Sequence, residues 1–195
     1  MVLKKDDKLK DRSKKLADDT EFLDEEFARM EQYCKEKFVK TTEIANREEN
    51  KPHNRYRDIV PYDDNLVRLT SDHFSPPETN FVNASKISFT SHPQTFLAVQ
   101  APKPSSIIHF WHMVLQERVS VIVMITRLKE GTRRKADQYW PDGSSPVLAL
   151  GAGSSVEHLS TSYTGSYYTR VFQLWLPGGG TRQVTLVACP CQSMH

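Results

Sequence analysis

The residues best suited to chemistry in this 195-residue chain lie at positions 54–63, in the order Asn-Arg-Tyr-Arg-Asp-Ile-Val-Pro-Tyr-Asp. Tyr56 stands between two arginines and offers an aromatic wall. Such a wall makes a slot for a flat ring, with stacking worth about 0.5–1.5 kcal/mol beyond area burial. Asp58, two residues on, is a carboxylate able to fix the orientation of two amide donors. Alone, Tyr56 reads better as a half-buried structural tyrosine, so its company must decide. His109 and His112 stand three apart, but no carboxylate or cysteine joins them in a ligand pattern, and they read as helix-surface or core histidines. A metal site from Cys189, Cys191 and His195 lacks a fourth ligand. No metal and no cofactor is therefore expected.

The elements that must position residues 54–63 follow from periodicity. Leu23, Phe27, Met30, Cys34 and Phe38 recur at steps of three and four, which places them on one face of a helix after a charged stretch over residues 4–19. A short helix is expected from Thr42 to about Asn50, ended by Lys51-Pro52. Strands are expected at residues 66–69, 81–87 and 96–99, with the breaker Ser75-Pro76-Pro77 between the first two. Ser105 or Ser106 is placed to cap a helix carrying Ile108, Trp111, Met113 and Leu115. Residues 119–125, Val-Ser-Val-Ile-Val-Met-Ile, read as a strand buried on both faces. A Ser/Gly-rich mobile loop is expected over residues 143–155, and a hairpin over 168–187 turning at Pro177-Gly178-Gly179-Gly180.

Asn54-Arg55-Tyr56-x-Asp58 with Pro61-Tyr62-Asp63 resembles the phosphotyrosine-recognition loop of the protein tyrosine phosphatases. Further segments resemble that family in the same order: Phe81-Val82-Asn83-Ala84-Ser85, the run from Phe96 through Gln100-Ala101-Pro102, Phe110-Trp111-His112-Met113-Val114, Ile122-Val123-Met124-Ile125, and Gln138-Tyr139-Trp140-Pro141. Agreement of many ordered segments is far more specific than one short motif. The resemblance implies an α/β (α+β) fold: a mixed twisted sheet flanked by helices, with its C-terminal half missing. It implies that Tyr56 stacks on a phosphotyrosine ring, that Asp58 accepts from the substrate backbone, that Arg55 belongs to the substrate-binding set, and that Glu130 and Lys135 support the site. Ala101 stands where the family has glycine, so a positive φ there would be strained. Asn83 is also readable as a buried amide satisfying backbone groups.

The family hydrolyses phosphotyrosine with a cysteine thiolate in a Cys-x5-Arg loop, where amides and an arginine hold the phosphate and lower the thiol pKa. An aspartate on a Trp-Pro-Asp loop then protonates the leaving phenolate. No Cys-x5-Arg occurs in these 195 residues: Lys40 lies six residues after Cys34, and no arginine follows Arg182. Trp140-Pro141-Asp142 spells the acid motif but closes the segment begun at Lys135, so Asp142 reads as an ordinary loop aspartate. The expected organisation is a charged tail at 1–19, a truncated phosphatase domain at 20–187 and an unrelated tail at 188–195. The expected function is that of a phosphatase-family member lacking its reactive loops, and so catalytically inactive; the alternative is a non-catalytic module, a pseudophosphatase binding a phosphotyrosine peptide or protein.

A formal charge of +2 without a basic stripe gives no reason to expect nucleic acid. No apolar run is long enough to span a bilayer. Three cysteines form no disulfide framework, which points to a reducing cytoplasm. The expected partner is a phosphotyrosine protein or peptide, held weakly. Residues 119–125, poorly covered if later elements are missing, add a surface for a chaperone or protein partner.

Overall fold

Alternation along the last third of the chain builds the larger sheet. In the computed structural model, which describes residues 20–37, 40–70 and 79–188, ten strands (β1–β10) and two α-helices (α1, α2) form. β9 (Tyr168–Trp175) and β10 (Thr181–Ala188) pair antiparallel in continuous register from Thr181↔Trp175 to Ala188↔Tyr168. The turn between them uses Gly178 and Gly179 at positive φ, which only glycine adopts at no steric cost. Phe172, Leu174, Val184 and Leu186 point to one face and are fully buried there. The expected hairpin is thus present.

The chain separates into a unit of residues 1–40 and a unit of residues 41–195. The first contains α1 (Thr20–Lys37), the expected amphipathic helix, with Glu21 in its first turn and Lys35 and Lys37 in its last, each favourable to the helix dipole. The stretch 4–19, Phe38, the Ser-Pro-Pro breaker and residues 189–195 lie outside the described residues.

In the second unit, one sheet has the order β1-β2-β3, all antiparallel, with β1 at Leu66–Arg68, β2 at Phe81–Phe89 and β3 at His92–Val99. The other has the order β4-β10-β9-β8-β7, with β4 (Val121–Met124) running parallel to β10. A two-stranded ribbon, β5 (Lys129–Glu130) and β6 (Arg133–Arg134), completes the set. The mixed-sheet α+β architecture is the one the sequence implies. Against the larger sheet packs α2 (Ile107–Gln116), whose Trp111 meets Phe172 edge-on at 5.7 Å and donates from Nε1 to the Tyr139 carbonyl at 2.6 Å. Among the described residues no helix is long and apolar enough to cross a membrane.

Four local expectations need correction. Residues 42–50 form successive turns rather than a helix, followed by a 3-10 turn at Lys51–His53 that contains Pro52. A side chain competes for a carbonyl there: Asn50 Nδ2 bonds Ile44 O at 2.7 Å. Ser106 precedes α2 but makes no side-chain cap, because its hydroxyl meets His53 Nδ1 at 3.1 Å. Residues 143–155 are largely ordered: β7 (Val147–Gly151) and β8 (Ser154–Tyr163) pair through a tight Gly-Ala-Gly turn, since Leu148, Leu150 and Val156 find the core.

The fourth correction concerns residues 119–125, expected as a strand buried on both faces and, if later elements are missing, as a poorly covered one; the exposures match the second expectation. Their strand is covered on one face only: Met124 is buried, while Val123 is 66% and Ile125 86% exposed. β4 is an edge of its sheet, and so is β3. Both edges line one open groove of about 860 Å³, floored by Phe110, Met113 and Val114 of α2.

Candidate functional site: a pinned aromatic loop

Residues 54–58 carry no regular secondary structure, so side chains must fix their backbone. Buried Asn83, on β2, donates from Nδ2 to Asn54 Oδ1 at 2.8 Å and to Ile59 O at 3.1 Å, spanning the loop from its start to its far side. Asn54 in turn donates to Ala45 O at 2.8 Å. Gln100, just past β3, accepts from Arg55 N at 2.8 Å and donates to His53 O at 2.6 Å. The downstream end is fixed by Asp63, whose two oxygens accept from Glu43 N at 2.8 Å and Ile44 N at 3.0 Å. The Thr41 hydroxyl, with the Ile44 and Glu43 amides behind it, holds the Asp63 carboxyl below the usual carboxylate range.

Arg55 points inward. Its Nε donates to Ala101 O at 2.9 Å, and its Nη2 donates to Pro102 O at 2.8 Å and to Asp137 Oδ2 at 2.7 Å. Its side chain is 12% exposed and that of Asp137 is 7%. This fork is spent on the protein itself. Ala101 carries out its part without strain, since Arg118 and Ala152 are the non-glycine residues at positive φ among those described.

Tyr56, next in sequence, is 41% exposed, and Asp58 is exposed as well. The loop therefore turns an anchored arginine inward and an aromatic ring and a carboxylate outward. An apolar face beside an acceptor suits a flat aromatic group carried on a chain with backbone donors.

Glu130 and Lys135 meet each other at 3.3 Å across the end of the β5–β6 ribbon, and neither side chain is buried. Lys135 N and Ala136 N both donate to Leu128 O, at 2.9 and 3.2 Å, which closes the ribbon onto the strand entering it. Arg134 reaches back to Asp137 Oδ1 at 2.6 Å. Asp137 thereby links the ribbon to the loop at residues 54–58.

Asp142 sits in a turn of its own. Its Oδ1 accepts from the Ser144 hydroxyl at 2.6 Å, Ser144 N at 2.9 Å and Ser145 N at 3.2 Å, and its Oδ2 from Gln138 Nε2 at 2.7 Å. The Ser144 hydroxyl, then Gln138, then the two amides hold it ionised far below the usual range. A carboxylate so held is a poor proton donor at neutral pH.

His109 and His112 are core residues. Buried His109 lies with its ring 4.8 Å from that of His53, and its Nε2 contacts Thr79 O at 3.2 Å; the contact of His112 Nε2 is Leu150 O at 3.3 Å. Burial first, then the neighbouring His53, pushes the His109 pKa down to about 4. Among the described residues no three His, Cys, Asp or Glu side chains gather as a metal site; Cys189, Cys191 and His195 are not among them.

Gln100 and Asp137 carry roles that their residue types do not announce. Gln100 lies in a segment that resembles the family but has no distinctive signal of its own. Asp137 was signalled only as a lone acid after Arg133-Arg134-Lys135, and its distance from residue 55 in sequence hid the pairing.

Residues 50–190 match the family described as Protein-tyrosine phosphatase. Receptor-type tyrosine-protein phosphatase alpha of Homo sapiens is 39% identical over 137 residues, covering 70% of this chain and 17% of that protein. Receptor-type tyrosine-protein phosphatase F of Bos taurus is 36% identical over 143 residues, covering 73% of this chain and 7% of that protein. Tyrosine-protein phosphatase non-receptor type 2 of Homo sapiens is 33% identical over 143 residues, covering 73% and 33%. The fold matches the catalytic domain of human protein tyrosine phosphatase non-receptor type 18 with a TM-score of 0.75 at 23% identity, covering 91% of this chain and 63% of that one. The chain thus spans a third or less of the length of these curated relatives.

Proposed function

Because the chain belongs to the protein-tyrosine phosphatase family, we propose that its loop at residues 54–58 binds a phosphotyrosine side chain and the peptide carrying it, without cleaving the ester. The observation that carries this reading is the exposure of Tyr56 on a loop pinned from behind by Asn83, Gln100 and Arg55. Tyr56 stacks on the ligand ring and Asp58 accepts from its backbone amides. Arg55 serves the ligand from behind by holding Tyr56 in place. Glu130 and Lys135 support the site through the ribbon they close. Structures of the non-receptor type 18 phosphatase include one in complex with HER2-pY1196 phospho-peptides, which supports a ligand of that chemical class for this fold.

Magnitudes limit the affinity. Stacking worth about 0.5–1.5 kcal/mol and a charged hydrogen bond of about 1.5–3 kcal/mol reach, only at their upper end, the roughly 4 kcal/mol of a millimolar Kd, so binding is millimolar or weaker. Hydrolysis needs a nucleophile, and the 195 residues hold no Cys-x5-Arg to activate one. The exposed thiol of Cys34 and the absence of a disulfide framework in the sequence fit a reducing compartment.

Calorimetry with a phosphotyrosine peptide and its unphosphorylated twin tests the binding. Equal heats, or none, would end this reading. A phosphatase assay on the same peptide tests the second half, and turnover above a protein-free blank would contradict it.

The bare face of β4 favours a second, independent reading: a polypeptide partner covers Val121, Val123 and Ile125. A sharply melting monomer that binds no hydrophobic dye would remove that reading.

A further inference from the structure

Asp137 is a buried acid whose two oxygens each hold a different element. Oδ2 accepts from Arg55 Nη2 at 2.7 Å, in the recognition loop, and Oδ1 accepts from Arg134 Nη2 at 2.6 Å, on β6. Its side chain is 7% exposed, and that of Arg134 is 66% exposed. Arg55 is held at both ends: its amide by Gln100, and its guanidinium by Ala101 O, Pro102 O and Asp137. Of these partners only Asp137 carries charge. A carboxylate matched to a buried guanidinium dominates such a cluster, because an unpaired charge there is far more costly than an unpaired carbonyl.

We propose that Asp137 is a positioning residue that ties the Tyr56 loop to the β5–β6 ribbon, so that the ribbon sets how firmly Tyr56 is presented. The coupling runs Arg134, Asp137, Arg55, Tyr56. A solvent-exposed arginine on one element therefore tunes the order of an aromatic ring on another. This goes beyond the proposed phosphotyrosine reading and depends on it only for the ligand used in the second arm below.

Two variants of the full chain test the coupling without ligand. Asp137→Asn keeps the shape and removes the charge. Arg134→Gln removes the exposed end of the chain of contacts and leaves the buried pair intact. Hydrogen exchange at the amides of residues 54–58 is expected to rise about tenfold in Asp137→Asn. In Arg134→Gln a rise of about threefold is expected, in keeping with an exposed ion pair. In both, the rise at residues 54–58 exceeds any rise along β9 and β10. No change at residues 54–58 in either variant, or an equal rise along β9 and β10, overturns the proposal.

The second arm uses a phosphotyrosine peptide. Asp137→Asn weakens its binding in the wild-type background and weakens it less once Tyr56 is Ala, because part of its effect acts through that ring. A loss as large in the Tyr56→Ala background as in wild type overturns the assignment. Absence of any heat with the wild-type chain would defeat the phosphotyrosine reading instead and leave the exchange result to decide the coupling.

Discussion

The loop at residues 54–63 and the strand β4 are both irregularly covered parts of one fold, yet they are stabilised in opposite ways. The loop is held by polar side chains that reach it from β2, from the end of β3 and from Asp137. Each of those bonds has a partner on both sides, so the loop needs little apolar burial to keep its shape. β4 is held by backbone pairing to β10 and by Met124 beneath it, while Val121 and Val123, and Ile125 just past the strand, are exposed. Polar anchoring is satisfied within the residues that form it. Hydrophobic burial is satisfied only by whatever lies opposite.

The sharpest way to break the contrast is Asp137→Ala. It leaves Arg55 buried and uncompensated, a loss of about 3–5 kcal/mol that chemical denaturation would read directly. A smaller loss, about 1–3 kcal/mol, is expected for Asn83→Ala, which strips a donor from both Asn54 and Ile59; unfolding should be accompanied by early proteolysis within residues 54–60. If either change is silent, the loop is not held as described.

Acid should strain the loop's foundation before it touches β4. The pKa of His109 is depressed from 6.5 to about 4 in the fold, so the folded state binds fewer protons between those values. Its contribution is complete above pH 6.5 and is lost as pH falls toward 4. Stability measured by urea at pH 7 and pH 5 should therefore drop, and His109→Gln should flatten part of that slope. A slope unchanged by the substitution would place the acid sensitivity elsewhere.

Changes on the β4 face should do least to stability. Val123→Thr is expected to shift it by no more than about 0.5 kcal/mol while lowering hydrophobic-dye binding and concentration-dependent association. A destabilisation of core size would mean that the face is covered after all.

The sequence motif made residues 54–63 legible because hydrogen-bonding side chains announce themselves by type: Asn, Arg, Tyr and Asp at fixed spacing leave few arrangements. The hairpin β9–β10 was legible for a similar reason, since glycines mark a turn between alternating strands. For residues 119–125 the sequence leaves two expectations open, a strand buried on both faces and a poorly covered one, and only the fold decides for the second. A β-branched apolar run gives the strand but not the number of its covered faces, which depends on neighbours distant in sequence. The turns at 42–50 are not legible because Asn50 takes the Ile44 carbonyl that a helix would use, and composition alone does not reveal that competition. Asp137 was hidden by sequence distance: its partner Arg55 lies 82 residues away.

The most direct test of the account is a calorimetric titration of the chain with a phosphotyrosine peptide, run beside Tyr56→Ala. Removing the ring should leave stability within about 0.5 kcal/mol of wild type and weaken binding about two- to tenfold, the value of one aromatic stack. Heat is expected with the phosphorylated peptide, less heat from Tyr56→Ala at matched concentration, and no release of inorganic phosphate. Equal binding by the two proteins would contradict that expectation.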